Sequence, residues 1–251
     1  MSFMKGRKYV NAWFRSIKNN QSAVLSAANA VRYYPAWKAS IELGKNSLTD
    51  RLPWITFQAR SFIQSLLTPE SIVFEYGSGG STIFYSKIAR HVFSIEHDEE
   101  WFNQVKASLA EEGIANCDCV LVLPEPTPNL DGSPDHPTSY VSSSERYRGF
   151  SFYRYVTHID SFPDGYFDFV AVDGRARPSC INHARSKIKD GGYVMLDNSE
   201  VSVYKRACQL LSGWEKHEFW GPVPYVTSFS RTSFWRRMTS SQHADKLELT
   251  S

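Results

Sequence analysis

The stretch that decides the fold is Ile72-Val73-Phe74-Glu75-Tyr76-Gly77-Ser78-Gly79-Gly80-Ser81-Thr82. Three apolar residues of high strand propensity run into an acid, a glycine-rich turn follows, and Ser81-Thr82 opens a helical pattern. Strand, turn and helix in that order present backbone N–H groups and a positive helix end to a ligand. A second strand, Val92-Phe93-Ser94-Ile95, ends in Glu96, 19 residues after Gly77. An acid at that distance suits the diol of a ribose.

Outward from this turn, helix and strand patterns alternate. Upstream, Asp50 and Pro53 introduce an apolar stripe of Ile55, Ala59, Phe62, Ile63, Leu66 and Leu67, which predicts a helix covering one face of a sheet. Downstream come a helix through Ile83, Phe84 and Ile88, the second strand, and a helix capped by Asp98 with Glu99 and Glu100 in its first turn. Cys119 to Leu123 reads as a third strand. Phe167 to Val172, closed by Asp173-Gly174, is a fourth, and Tyr193 to Leu196, closed by Asp197-Asn198, a fifth. Trp214 to Trp220 and Tyr225 to Trp235 lie too close in sequence for a crossover helix, so they should run antiparallel. The pattern predicts a Rossmann-like three-layer α/β/α sandwich on a mostly parallel seven-stranded sheet, with one antiparallel strand near the C-terminus. Such sheets bind ligands beyond the carboxyl ends of their strands. Glu75, Glu96, Asp173 and Asp197 should therefore share one rim.

Residues 1–48 precede this pattern as a helical extension. Lys5, Arg7, Lys8, Arg15 and Lys18 make it basic, and Val10, Trp13, Phe14 and Ile17 fall on one helical face. Such a helix either makes peripheral contact with an anionic membrane or packs on the domain with its cations solvated. Residues 124–151 break the rhythm with prolines, serines and Arg146-Tyr147-Arg148. An insertion of that length is functional or disordered, and a lid over an acceptor is one reading of it. Residues 239–251 form a polar tail.

A net charge of +2 over 251 residues is no nucleic-acid signature, and no nucleic-acid partner is expected. No run reaches the roughly 18 apolar residues of a membrane span, and no signal-peptide core is visible, so a cytoplasmic protein is expected. Cys117, Cys119, Cys180 and Cys208 lack paired CxxC spacing, which favours reduced thiols over a zinc site. The sequence leaves the oligomeric state open.

A dinucleotide fingerprint would put glycine at position 82, where this chain has Thr82. The acid two residues before the first glycine, in Glu75-Tyr76-Gly77-Ser78-Gly79, resembles instead the first motif of class I S-adenosylmethionine-dependent methyltransferases. The resemblance continues in Ser94-Ile95-Glu96-His97-Asp98, in Phe167 to Asp173 and in Gly191 to Asp197, and covers about residues 65–237. Ser81 departs from it: many members carry a third glycine there, and Gly80 comes one place early. The resemblance implies that residues 49–238 form a methyltransferase domain. It further implies that S-adenosyl-L-methionine is bound through Glu75, Gly77, Ser78, Gly79, Glu96 and His97, with Glu96 on the ribose hydroxyls and Glu75 orienting the amino end. Asp173 is then expected as the base or acceptor-orienting group.

The same strand ends are similar to those of catechol-type and caffeoyl-coenzyme-A-type O-methyltransferases, in which two aspartates and an asparagine hold a divalent ion. That similarity implies Mg²⁺ on Asp173, Asp197 and Asn198. The competing expectation is that Asp197-Asn198 caps the following helix. Arg175 and Arg177 are candidates for an anionic substrate group. The expected activity is methylation of an oxygen of a small molecule or glycan. The alternatives are a catalytically inactive S-adenosylmethionine-binding or interaction protein and an NAD(P)-dependent oxidoreductase, against which Thr82 speaks.

Overall fold

The computed structural model describes residues 2–19, 23–127 and 130–238. Helices α1 (Ser2–Asn19), α2 (Ala23–Ser40), α3 (Ser47–Asp50) and α4 (Phe57–Leu66) come first. They are followed by β1 (Ile72–Tyr76), α5 (Gly80–Ser86), β2 (His91–Glu96), α6 (Glu99–Glu111) and β3 (Cys117–Leu121). The insertion contributes β4 (Glu125–Pro126) and β5 (Phe150–Ser151). Then come α7 (Tyr153–Thr157), β6 (Phe167–Val172), α8 (Arg177–Lys187), β7 (Ile188–Leu196), α9 (Lys205–Gln209), β8 (Glu215–Pro222) and β9 (Phe229–Arg236).

Seven strands form one sheet in the order β3-β2-β1-β6-β7-β9-β8. As expected, they are parallel except for one: β9 runs antiparallel to both β7 and β8. The chain starts at the centre with β1, moves out to β3, then returns to the other side of β1 with β6. That reversal puts the carboxyl ends of β1, β2, β6 and β7 on one rim, with Glu75 level with both Ser94 and Ala171.

The period of two along each strand divides the core. Val170, Val172, Val194 and Leu196 face α7, α8 and α9, packing on Ile181 and Ala184. Phe169, Ala171 and Met195 face α4 and α5, packing on Ala59, Ile63 and Tyr85. Strands buried on both faces read as continuous apolar runs, which is why β1 and β6 stand out in the sequence.

Several boundaries differ from expectation, the largest shift being that of β7, which begins at Ile188 rather than Tyr193. α4 starts at Phe57 rather than at Pro53, because residues 46–52 fold separately: Asn46 and Thr49 cap each other around α3, and Arg51 ends it in the left-handed region at φ 56°. β3 lies two residues earlier than read, pairing Cys119 with Ser94. The β8–β9 turn falls at 223–228 rather than 221–224, because Gly221 and Pro222 still pair with Ser230 and Phe229. The polar tail expected from 239 lies outside the described residues.

α1 and α2 pack on the β8–β9 edge through Tyr9, Ala12, Ala30, Trp37, Phe57, Trp220 and Phe229. Tyr9 donates to the Ala30 carbonyl (2.7 Å), Trp37 Nε1 to that of Val226 (2.8 Å) and Asn29 Nδ2 to that of Trp220 (2.7 Å). The buried side of α1 is thus Tyr9, Ala12 and Ser16, while Val10 and Phe14 stay exposed. Close approach of two helices selects small side chains, a preference that ranking by hydrophobicity misses. Among the described residues, no helix is long and apolar enough to cross a membrane.

Candidate functional site

Beyond the carboxyl ends of β1, β2, β6 and β7 lies a cavity of about 720 Å³. Its floor is the turn after β1. Gly77 adopts φ +95°, and a Cβ on it would stand 2.8 Å from Gly174 Cα, so the loops after β1 and β6 meet backbone to backbone. A Cβ on Gly80 would collide with the Ser47 carbonyl oxygen and stand 2.7 Å from that of Leu52. This explains the displaced glycine: the turn needs Gly80 because the α3 segment rests on it. Gly79 is under no such demand, with nothing nearer than 3.7 Å to its Cβ position.

Glu75 is fully buried and does not line the cavity. One carboxylate oxygen accepts from Thr82 Oγ1 and Ser94 Oγ (both 2.6 Å), and the other accepts from Ser81 Oγ, which does face the cavity. Thr82 Oγ1 in turn accepts from the Gly79 amide (2.9 Å). Burial raises the Glu75 carboxyl to about 7, against the pull of the Ser81, Ser94 and Thr82 hydroxyls.

Glu96 lines the cavity and is held by three backbone donors. Its Oε2 accepts from Ser78 N (3.0 Å), and its Oε1 from His97 N (2.8 Å) and Asp98 N (2.9 Å). His97 Nδ1 lies 2.7 Å from Glu96 Oε1 but out of line for a hydrogen bond. Its Nε2 faces Arg175 Nε at 3.3 Å, which assigns the ring proton to Nδ1. Tyr147, from the insertion, meets the His97 ring edge-on with centroids 5.2 Å apart, and Arg175 lies 5.5 Å over the Tyr147 ring. Asp98 caps α6 as expected, and Trp101 Nε1 donates to the Ser78 carbonyl (2.7 Å).

The opposite side of the rim belongs to Arg177. Its Nε donates to the Gly174 carbonyl (3.0 Å). Nη1 donates to the Asp197 carbonyl (2.6 Å) and Asn198 Oδ1 (3.1 Å), and Nη2 to the Asp173 carbonyl (2.8 Å) and Asp173 Oδ1 (2.9 Å). Ala176 (φ 48°) and Asn198 (φ 52°) hold left-handed conformations around it. Such backbone costs are typically met where a side chain must be aimed. Asp173, one-third exposed, opens onto the cavity, while Asp197 is buried and accepts from Thr232 Oγ1 (2.6 Å). Burial, then the charge of Asp173, raises the Asp197 carboxyl to about 8, although Arg177 and Thr232 act against this. Asp173 is also raised by burial, opposed by Arg177 and Arg175.

This arrangement gives no support to the expectation of Mg²⁺ on Asp173, Asp197 and Asn198. The guanidinium already fills the space between them and engages the Asp173 carboxylate and the Asn198 amide oxygen. Among the described residues, no group of three or more His, Cys, Asp or Glu side chains is placed to hold a metal ion. Arg177 is equally unavailable to an anionic substrate, whereas the terminal nitrogens of Arg175 carry no hydrogen bond among the described residues. The reading from sequence gave Ser81, Thr82 and Ser94 no part in holding Glu75 with their hydroxyls. Ser94, a polar residue in an apolar strand, was the available signal.

No protein-family model matches this chain, and no curated protein matches it in sequence. Among solved structures, the O-methyltransferase TomG from Streptomyces achromogenes, in complex with S-adenosylmethionine, is similar over 85% of this chain and 97% of its own, with 14% identity and a TM-score of 0.55. The S-adenosylmethionine-dependent O-methyltransferase from Thermotoga maritima (13% identity; 74% of this chain and 66% of its own) and the tRNA (m1A58) methyltransferase TrmI from Aquifex aeolicus (16%; 75% and 72%) align at TM-scores of 0.48 and 0.46. The chain has the fold of the class I S-adenosylmethionine-dependent methyltransferases.

Proposed function

We propose that this protein binds S-adenosyl-L-methionine across the turn after β1 and methylates an oxygen of a small molecule or glycan. The observation that carries this reading is Glu96: a buried carboxylate at the cavity wall, fixed by three backbone N–H groups, with acceptor capacity left on Oε2 for a ribose diol. Gly77 and Gly79 leave the backbone open to the methionine part, and Ser81, backed by Glu75, offers a hydroxyl to its polar end. His97 and Tyr147 supply flat surfaces beside the ribose position.

Bound S-adenosylmethionine supplies an electrophilic methyl group; the chain's own residues must align an acceptor and remove its proton. Asp173 suits that task. It opens onto the cavity, and Arg177 fixes one of its oxygens and holds its carboxylate in place. The cavity continues past Trp54, Val223 and Val226 to Glu200, Ser228 and Ser230, an apolar and hydroxyl-bearing wall suited to a sugar or a small polar ring. The O-methyltransferase activity named for TomG agrees with an oxygen acceptor. We take the setting to be cytoplasmic, where the four free cysteines stay reduced.

Isothermal titration with S-adenosylhomocysteine and NAD tests the cofactor. Binding of the first alone is expected, and failure of S-adenosylhomocysteine to bind overturns the proposal. Turnover of a candidate acceptor separates an enzyme from an inactive binder, and Asp173→Asn retaining the full rate would remove Asp173 as the base.

A further inference from the structure

Charge is distributed unevenly along the chain. Residues 1–41 hold seven of its 28 lysines and arginines and none of its 26 acids, giving +7; the remainder carries −5. Among the described residues, none of Lys5, Arg7, Lys8 and Arg15 makes an ion pair, so these cations are not spent on the acidic domain behind them.

α1 turns Tyr9, Ala12 and Ser16 inward and leaves Arg7, Lys8, Val10, Asn11, Phe14 and Arg15 outside. Val10 is 43% and Phe14 56% exposed. Four residues apart, they form one stripe, with Arg7 on it and Lys8 and Arg15 alongside. Val31 adds a further exposed apolar group to the same basic segment. The phosphates of duplex RNA or an acidic protein surface would be met by the cations alone and give no role to the exposed aliphatic Val10. Apolar and cationic side chains on one outward helix face match the interface of a bilayer carrying anionic headgroups. The inward side of the same helix reaches the neighbourhood of the site. A groove lined by Ala12, Arg15, Ser16, Glu200, Ser228 and Phe229 adjoins α1 and shares Glu200 and Ser228 with the cavity wall.

We propose that α1 docks this protein on a membrane surface rich in anionic lipid, with Val10 and Phe14 between the headgroups and Arg7, Lys8 and Arg15 on their phosphates. Docking does not depend on the reaction at the site.

The test is co-sedimentation of the full chain with vesicles of phosphatidylcholine, with and without phosphatidylserine. Binding to the phosphatidylserine vesicles, weakened by salt, is expected. Val10→Ser with Phe14→Ser should weaken it about tenfold, and Arg7→Glu with Lys8→Glu and Arg15→Glu about a hundredfold. All five side chains are outside the core, so the thermal unfolding midpoint should not move and serves as the control for folding. Equal binding to the two vesicle compositions overturns the proposal. So does wild-type binding by the Val10/Phe14 variant. Tighter retention on single-stranded RNA than on the vesicles, lost on charge reversal, would assign the face to a polyanion instead.

Discussion

Arg177 directs all five of its N–H groups at protein oxygens, on Asp173, Gly174, Asp197 and Asn198. A fixed guanidinium therefore supplies the positive charge that a divalent ion would bring to this rim. Turnover should be unchanged by exhaustive chelation; a loss restored by Mg²⁺ would contradict the arginine's role. The two raised carboxyls give a second prediction. Unfolded, Glu75 and Asp197 titrate near 4.5 and 3.8; folded, at about 7 and about 8. The folded state holds these protons more tightly. Their stabilising contribution is thus fully present below about pH 4 and is lost as pH rises through 7 to 8. Unfolding midpoints measured between pH 5 and 8.5 should fall less steeply for Asp197→Asn than for the wild type. Neither feature was legible in the sequence. Arg175 and Arg177 are the same residue type two positions apart, and only the left-handed Ala176 between them, which no side-chain pattern announces, sends one to the cavity and the other into the wall.

At the scale of elements, the strand–turn–helix unit was legible because local forces specify it: apolar strand residues, glycines in the turn, and a helix start. The acids at the strand ends followed from the parallel pattern. What holds the turn in shape is not local. α3 lies some thirty residues upstream and presses its Ser47 carbonyl on Gly80, so the sequence showed a misplaced glycine without its cause. Gly80→Ala should accordingly destabilise the protein by about 1–3 kcal/mol and weaken S-adenosylhomocysteine binding, whereas Gly79→Ala should keep the stability and lose only the binding. Chemical denaturation alongside titration separates the two. The insertion shows the same limit. Its composition suggested a lid, but Tyr140 N donates to Ser179 Oγ (3.2 Å) and Tyr147 is buried against His97, so part of it is wall.

For the whole molecule, the fold class and the seven-stranded sheet were readable, while the seating of α1 and α2 was not. Their contacts join residues nearly two hundred positions apart, as between Asn29 and Trp220, and depend on shape more than on hydrophobic period. The order of the sheet has a temporal consequence. Its central seam joins β1 to β6, segments whose contacts, such as Ile72 N to Asp168 Oδ2, span 96 residues, whereas β1, β2 and β3 pair with near neighbours. Closing so long a loop is slow relative to forming local structure. The cavity exists only once Gly77 meets Gly174 across that seam. On dilution from denaturant, helical circular dichroism should therefore recover first and S-adenosylhomocysteine binding later. Simultaneous recovery would mean that the seam closes at the outset. A chain emerging from the ribosome would then acquire its ligand only after β6 has been made, long after the glycine turn that is to hold it.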